Sequence, residues 1–397
     1  MYTMKLDGRP LFDPTLLDYS LEDPKLSMEA NKFGTLTFTI YPNHPEYANV
    51  SMKTSRIKVY SDDTLIFEAR PAQYRRTLHN GYEWTCEDVL SRLNDVAWRP
   101  VKYTGTGTSA PLTWLLGQYN GVIDPGNHNA HLHINAGSVN VSGYTGGVET
   151  KDSAYKTFWK MIVENTIDIA GGYLVPIYTE DAGITLNYYD AEHLPEQAQE
   201  IVLGENMQDL TIDINTNELF TVLIPLGKDQ NAGSGASDKK LPLTIASVNS
   251  GSIYLTRSSP HDDVGSYGWI EHTETWSDID SASDLKTKGQ EYLDKLAGHV
   301  ARTMTINAYD LHDAGVDVAA LKWLAQTHVT SSIHNINDEV YPLRRMELSL
   351  GEPQASVIEI GTEKETMTDR LRKDARKAQK YYTYLDDRVW DMEDVTP

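Results

Sequence analysis

Residues 31–45 read Asn-Lys-Phe-Gly-Thr-Leu-Thr-Phe-Thr-Ile-Tyr-Pro-Asn-His-Pro, and no other stretch constrains the fold as tightly. Leu36, Phe38 and Ile40 alternate with Thr35, Thr37 and Thr39, so a strand here has one apolar face and one hydroxyl-bearing face. Threonine suits a half-exposed sheet surface, and Pro42 has no N–H to give a ladder. The spacing therefore predicts a strand that stops at Pro42 and leaves the sheet as an extended arm bounded by Pro42 and Pro45.

Downstream, 57–60 and 65–70 flank an Asp62-Asp63 turn and read as a hairpin with a polar tip. A strand over 82–86 follows the Asn80-Gly81 turn signal, and a short helix over 87–95 turns Val89, Leu90 and Leu93 inward. These pieces make one antiparallel unit of about a hundred residues, a usual domain size.

The texture then changes. Pro111 sits well in the first turn of a helix, and a second helix is expected from near Ser153 to Ile169, with Phe158 and Ile162 on its apolar face. Gly171-Gly172 ends it, and 173–178 with 184–189 form a hairpin. From Ile201 strands return: 210–214, 221–224, 243–248 and 252–255, with a solvated loop over 228–238. A helix over 283–297 buries Leu285, Tyr292, Leu293 and Leu296, and strands at 302–308 and 343–350 close the second β unit. The tail from Glu363 places acids before bases, as a helix dipole favours. Ala378, Tyr382, Leu385, Val389 and Met392 then recur four and three residues apart, a short coiled-coil seam.

Charge bears on partners. Lys plus Arg number 35 against 57 Asp plus Glu, a formal net charge of −22 in 397 residues. Such a chain does not bind nucleic acid through general phosphate attraction, although passive contact with DNA is compatible with it. Nothing at the N-terminus resembles a signal peptide, and no run approaches the roughly 20 apolar residues of a membrane span. A single cysteine, Cys86, excludes an intrachain disulfide and a cysteine-based zinc cluster, so folding in a reducing cytoplasm is the simplest expectation.

Catalytic signals are sparse. His128, His131 and His133, with Asp124 upstream, could supply zinc nitrogens, and His131 and His133 would share one face of a strand. They have no cysteine partner and no clear fourth ligand, so they read as polar residues at the surface, with no metal and no cofactor expected. Cys86 sits in a strand beside Trp84 without an adjoining base and reads as a small buried hydrophobe. No nucleophile elbow, His-Glu-x-x-His helix or phosphate-binding loop is present.

The strand of 34–39 with Pro42, His44 and Pro45, the 57–70 hairpin, and Thr85-Cys86-Glu87 with Leu93-Asn94-Asp95 resemble the N-terminal body of the phage tail-associated hub proteins, also called the prophage tail or tail endopeptidase family. Two further blocks agree in order and spacing: 201–210 followed by 220–227, and 345–351 leading to 358–361. The resemblance implies a mainly β chain with α+β insertions: two antiparallel β-barrel-like tube domains, an α+β insertion and a C-terminal helix, assembled as a homotrimeric ring. The expected organisation is a first tube domain over 1–100, an α+β insertion over 101–200, a second tube domain over 201–257 and 303–361, a small helical insertion over 258–302, and a C-terminal helix over 362–397.

By the same resemblance the chain is a structural hub of a phage or prophage tail tip or baseplate, assembled in the host cytoplasm and residing at the distal end of the virion tail. Its implied partners are two further copies, the distal tail protein ring, the tape-measure C-terminus and receptor-binding or tail-fibre proteins, with DNA passing through the channel without specific binding. Peptidoglycan cutting in that family resides in extensions beyond the hub body, and the residues after Gly361 are too few for one, so no catalytic residue is carried over and no enzyme is expected. The alternatives are a tail-associated peptidoglycan hydrolase using His131 or His133, and a saccharide-binding receptor module. Interface candidates are Pro42, His44 and Pro45 in the arm, and Tyr382, Leu385, Val389 and Met392 in the tail.

Overall fold

The alternating stretch forms the strand Thr35–Ile40, with Leu36, Phe38 and Ile40 buried and the three threonines half-buried on the opposite face. Burying each of these apolar side chains stabilises by about 1.5–3 kcal/mol, which sets the strand's orientation in the sheet. The computed structural model describes residues 1–361 apart from 100, 102, 104–106, 127, 143, 145–147, 149–154, 181–182, 217–218, 232–239, 258–261, 278 and 298–300. The expected C-terminal helix, with Tyr382, Leu385, Val389 and Met392, lies outside the described residues.

In chain order the strands are β1 (Tyr2–Leu6), β2 (Arg9–Phe12), β3 (Glu22–Glu29), β4 (Thr35–Ile40), β5 (Ile57–Ser61), β6 (Thr64–Arg76), β7 (Tyr82–Asp88), β8 (Ile134–Asn140), β9 (Tyr173–Tyr178) and β10 (Ile184–Tyr189). They continue as β11 (Ile201–Val202), β12 (Met207–Asn215), β13 (Val222–Leu226), β14 (Asp229–Asn231), β15 (Lys240–Pro242), β16 (Leu255–Thr256), β17 (Glu271–Thr275), β18 (Ala301–Ala308), β19 (Gln326–Ser331), β20 (Ile336–Ser349) and β21 (Val357–Gly361). The helices are α1 (Ala110–Ile123), α2 (Phe158–Asn165), α3 (Ile167–Ala170), α4 (Asp263–Tyr267) and α5 (Ala282–Leu296). The chain is thus mainly β with a few helices.

Two compact units divide it, one built from residues 1–211 and 304–363 and the other from residues 212–303. In the first, hydrogen-bonded neighbours run β21-β20-β3-β4-β7-β6-β5-β1-β2, antiparallel throughout. Strands that the sequence reading assigned to separate tube domains meet here, because Leu348 pairs with Leu26 and Met346 with Met28. Among the described strands the pairing order is open and closes no barrel. Buried Leu26, Met28, Leu348 and Leu350 bring the distant segments onto one core, a choice that local alternation does not encode.

Residues 101–200 supply a smaller sheet, β8-β10-β9, in which β8 runs parallel to β10. Helix α1 lies against β8 and buries Pro111, Leu112, Leu115, Leu116 and Tyr119. The helix expected to run from Ser153 to Ile169 is instead α2 and α3, since Thr166 departs from helical geometry (φ −127°, ψ −84°) while its Oγ1 donates to the Ile162 carbonyl at 2.6 Å. The β9–β10 hairpin packs onto the larger sheet, with Phe67 edge-on to Tyr178 and Asn31 bonded to both Gly172 and Leu174.

In the second unit β13 is central, antiparallel to β16 and parallel to β17, and α5 covers it with Leu285 and Leu293 fully buried. The strand expected over 243–248 is absent: Ile245 is buried in a turn, Ala246–Val248 is a 3-10 helix, and Ser250 and Gly251 take left-handed backbone that reverses the chain. Part of the expected 228–238 loop is ordered as β14, which pairs with β15. Likewise 87–95 forms a 3-10 helix, Val89–Asn94, and not an α-helix.

Candidate functional site

Register determines which side chains share the outer face of the large sheet. One cross-strand row reads Ser349, Lys25, Thr37, Thr85, Gln73, and the next reads Glu347, Ser27, Thr35, Glu87. Because side chains alternate, the opposite face of the same strands holds Leu26, Leu36, Phe38, Cys86 and Leu348, all buried. The outer surface is therefore a broad, hydroxyl-bearing wall backed by a continuous apolar core. A depression of about 220 Å³ lies on it between β3, β4 and β20.

Its charges are paired in place. Lys25 meets Asp23 at 2.8 Å, Arg75 meets Glu83 at 2.8 Å, and Arg345 bonds to Glu347 and approaches Glu359 at 3.7 Å. Glu87 is shared between Lys53 and the buried Arg70, the latter at 2.8 Å. Arg70 also donates to Ser91 at 2.9 Å, which ties the wall to the 3-10 helix beneath it. Exposed pairs like these add little stability, but they leave a surface on which cations already have carboxylate partners.

Beneath the wall sits Asp88, fully buried at the end of β7. Its Oδ1 accepts from the Leu90 amide at 2.9 Å and its Oδ2 from the Tyr178 hydroxyl at 2.9 Å. Burial pushes this carboxyl up to about 7 against those hydrogen bonds, and burial together with Asp88 raises the Tyr178 phenol well above its ordinary range. One side chain thus joins β7, the 3-10 helix and the β9–β10 hairpin. Nearby Glu68 is also buried and holds Arg56 through Nε at 2.6 Å and Nη2 at 3.0 Å.

The histidine cluster does not converge. Asp124 accepts from the His128 and Asn129 amides at 3.0 and 2.7 Å, and its Oδ2 lies 3.0 Å from His133 Nε2. These bonds, led by the Asn129 amide, hold its carboxyl below the usual range. His131 lies in the 3-10 turn Ala130–Leu132, ahead of β8, so it does not share a strand face with His133. Burial and the nearby Arg56 and Arg92 lower its pKa. Among the described residues no group of three or more His, Cys, Asp and Glu could hold a metal ion. Cys86 is buried, and burial raises its thiol pKa.

Residues 42–45 do not leave the sheet as an extended arm. His44 is buried, with Nε2 2.8 Å from the Leu11 carbonyl and Nδ1 accepting from the Glu46 amide at 3.0 Å, and Tyr41 and Tyr47 close turns on either side. A buried imidazole with both nitrogens engaged anchors the segment to β2 of its own chain, leaving Pro42 and Pro45 exposed. The sequence reading missed Asp88 and the β3 half of the wall. Alternation in Lys25-Leu26-Ser27-Met28-Glu29 is the signal that would have found β3.

Comparison with known proteins agrees with this architecture. Residues 195–371 match the model of the family described as Prophage endopeptidase tail. No curated protein sequence matches the chain. Among solved structures, the tail protein from Neisseria meningitidis MC58 is similar at 12% identity and a TM-score of 0.51, over 91% of this chain and 97% of that one. The prophage MuSo2 43 kDa tail protein from Shewanella oneidensis aligns at 12% identity and 0.52, over 90% and 97%. The prophage tail protein gp18 from Listeria monocytogenes EGD-e aligns at 12% and 0.50, over 95% and 99%. Sequence over residues 195–371 thus resembles the Prophage endopeptidase tail family, and the fold over nearly the whole chain is similar to that of these tail proteins.

Proposed function

We propose that this chain is a structural hub at the distal end of a phage or prophage tail, where three copies form a ring that joins the distal tail protein to the tape-measure C-terminus and lets DNA pass. The observation that carries the reading is the hydroxyl-rich, ion-paired outer face of the large sheet. A polyanion slides past a wall only if that wall offers no unpaired cations to trap phosphates. Lys25, Arg75 and Arg345 are each matched by a carboxylate, and a net charge of −22 adds general repulsion. The work of such a protein is mechanical, and none of it needs a reacting group.

Mass photometry of the purified chain tests the ring directly. The expected species has three times the 44.6 kDa chain mass, and a chain that stays monomeric at micromolar concentration overturns the proposal. The competing reading, a peptidoglycan hydrolase, is supported by the His133–Asp124 contact and by the matched family's description. A cell-wall zymogram in which clearing is lost with His133→Ala would establish it.

A further inference from the structure

At one end of the large sheet, two ordered turns display leucines to solvent and carry opposite charge. The first is the tip of the β6–β7 hairpin. Residues 73–76 of β6 are all exposed, and the tip is closed by a bond from the Thr77 amide to the Gly81 carbonyl at 2.8 Å and from the Gly81 amide to Thr77 Oγ1 at 3.0 Å. Tyr82 stacks on Tyr47 at 4.9 Å, which steadies the base. On this structured tip Leu78 is 93% exposed.

The second turn follows β2. Asp13 Oδ1 accepts from the Thr15 amide at 2.9 Å and from its hydroxyl at 2.6 Å, and the turn presents Leu17, 95% exposed. Residues 73–81 contain Arg75 and Arg76 and no acid, whereas residues 13–24 contain four acids and no lysine or arginine. Arg75 of the tip is already paired with Glu83 and Asp23 of the turn segment with Lys25, which leaves Arg76 and Asp18 as the charges that carry the complementarity. Arg76 meets neutral partners, Asn80 Oδ1 at 3.0 Å and the Tyr82 ring at 5.9 Å, and Asp18 is exposed beside Leu17. Register places the turns at the same end of the sheet, since Glu22 pairs with Thr39, Ile40 with Tyr82 and Tyr82 with Arg76.

We infer that these turns are the two halves of a contact between copies of this chain. The basic tip of one copy docks on the acidic turn of the next, Leu78 packing against Leu17 and Arg76 pairing with Asp18. A contact between two different patches of the same chain repeats from copy to copy around an axis, and it closes as a ring when the rotation per copy divides a full turn. Both apolar side chains stand on ordered backbone, so docking costs little ordering entropy. The inference rests on the ring proposed above and names one of its seams.

The test is a charge swap read by sedimentation and mass photometry. Arg76→Asp alone and Asp18→Arg alone should each weaken assembly at least tenfold, and combining them in one chain should restore it, because every seam of the three-membered ring is then Asp against Arg. Leu78→Ser should weaken it similarly. All three substituted positions are exposed, so circular dichroism and urea midpoints stay at wild-type values. Single variants that assemble as tightly as wild type overturn the seam while leaving the ring standing. Weakening without restoration overturns the pairing of tip with turn and assigns the tip to another partner. A wild-type chain that never assembles removes the ring and the seam with it.

Discussion

Asp88→Asn isolates the electrostatic cost of the buried node. The carboxyl titrates near 7 in the folded chain against an ordinary value of 3.8, a rise of about three pH units. Between those values the folded state holds a proton that the unfolded state has released, so the contribution of Asp88 to stability is fullest below pH 3.8 and falls as pH rises toward 7. At 1.36 kcal/mol per unit the full loss is about 4 kcal/mol, of which about 2–3 kcal/mol falls between pH 5 and pH 8. Asparagine keeps an acceptor for the Leu90 amide, 2.9 Å from Oδ1, but does not ionise. It leaves one polar contact imperfect, a cost of about 1–3 kcal/mol that does not change with pH. Urea unfolding of both proteins at pH 5 and pH 8, with hydrogen exchange of the Leu90 amide as the local probe, should show wild type losing stability on the alkaline side while the variant stays level relative to it. Parallel pH profiles would refute the assignment of this dependence to Asp88.

Two further substitutions probe the sheet. Phe38→Ala on the buried face should cost about 3–5 kcal/mol, whereas Thr37→Ala, one residue away on the half-buried face, should cost less than about 1 kcal/mol, and equal losses in thermal melts would mean the two faces are misassigned. Gly34→Ala would place a methyl 2.5 Å from the Phe67 ring and should destabilise by about 1–3 kcal/mol; a variant that melts at the wild-type temperature would show that Phe67 can move aside.

Much of the first sheet was legible in the sequence for a local reason. Alternation at Leu36, Phe38 and Ile40, the Asp62-Asp63 turn and the Asn80-Gly81 signal each specify a strand or reversal within a few residues, and β4, β5, β6 and β7 lie where those signals put them. Pro111 opened α1 for the same reason. Elsewhere the signals were real but their outcome was set by packing. Residues 243–248 alternate well enough for a strand, yet burial of Ile245 and the turn at Ser250-Gly251 end it before it begins. His44 read as part of a free arm because nothing local reveals that the Leu11 carbonyl lies 2.8 Å from its ring.

Composition and periodicity alone determined that this is an acidic, mainly β chain whose strands have one apolar and one hydroxyl-bearing face, since charge and side-chain alternation are properties of the covalent order. Only the tertiary structure decided that β3 pairs with β20, that the polar faces of β3, β4, β7 and β20 join in one wall, and that Asp88 meets Tyr178 ninety residues away. Those pairings depend on which apolar surfaces find each other when the core excludes water, and that selection acts between segments far apart in sequence.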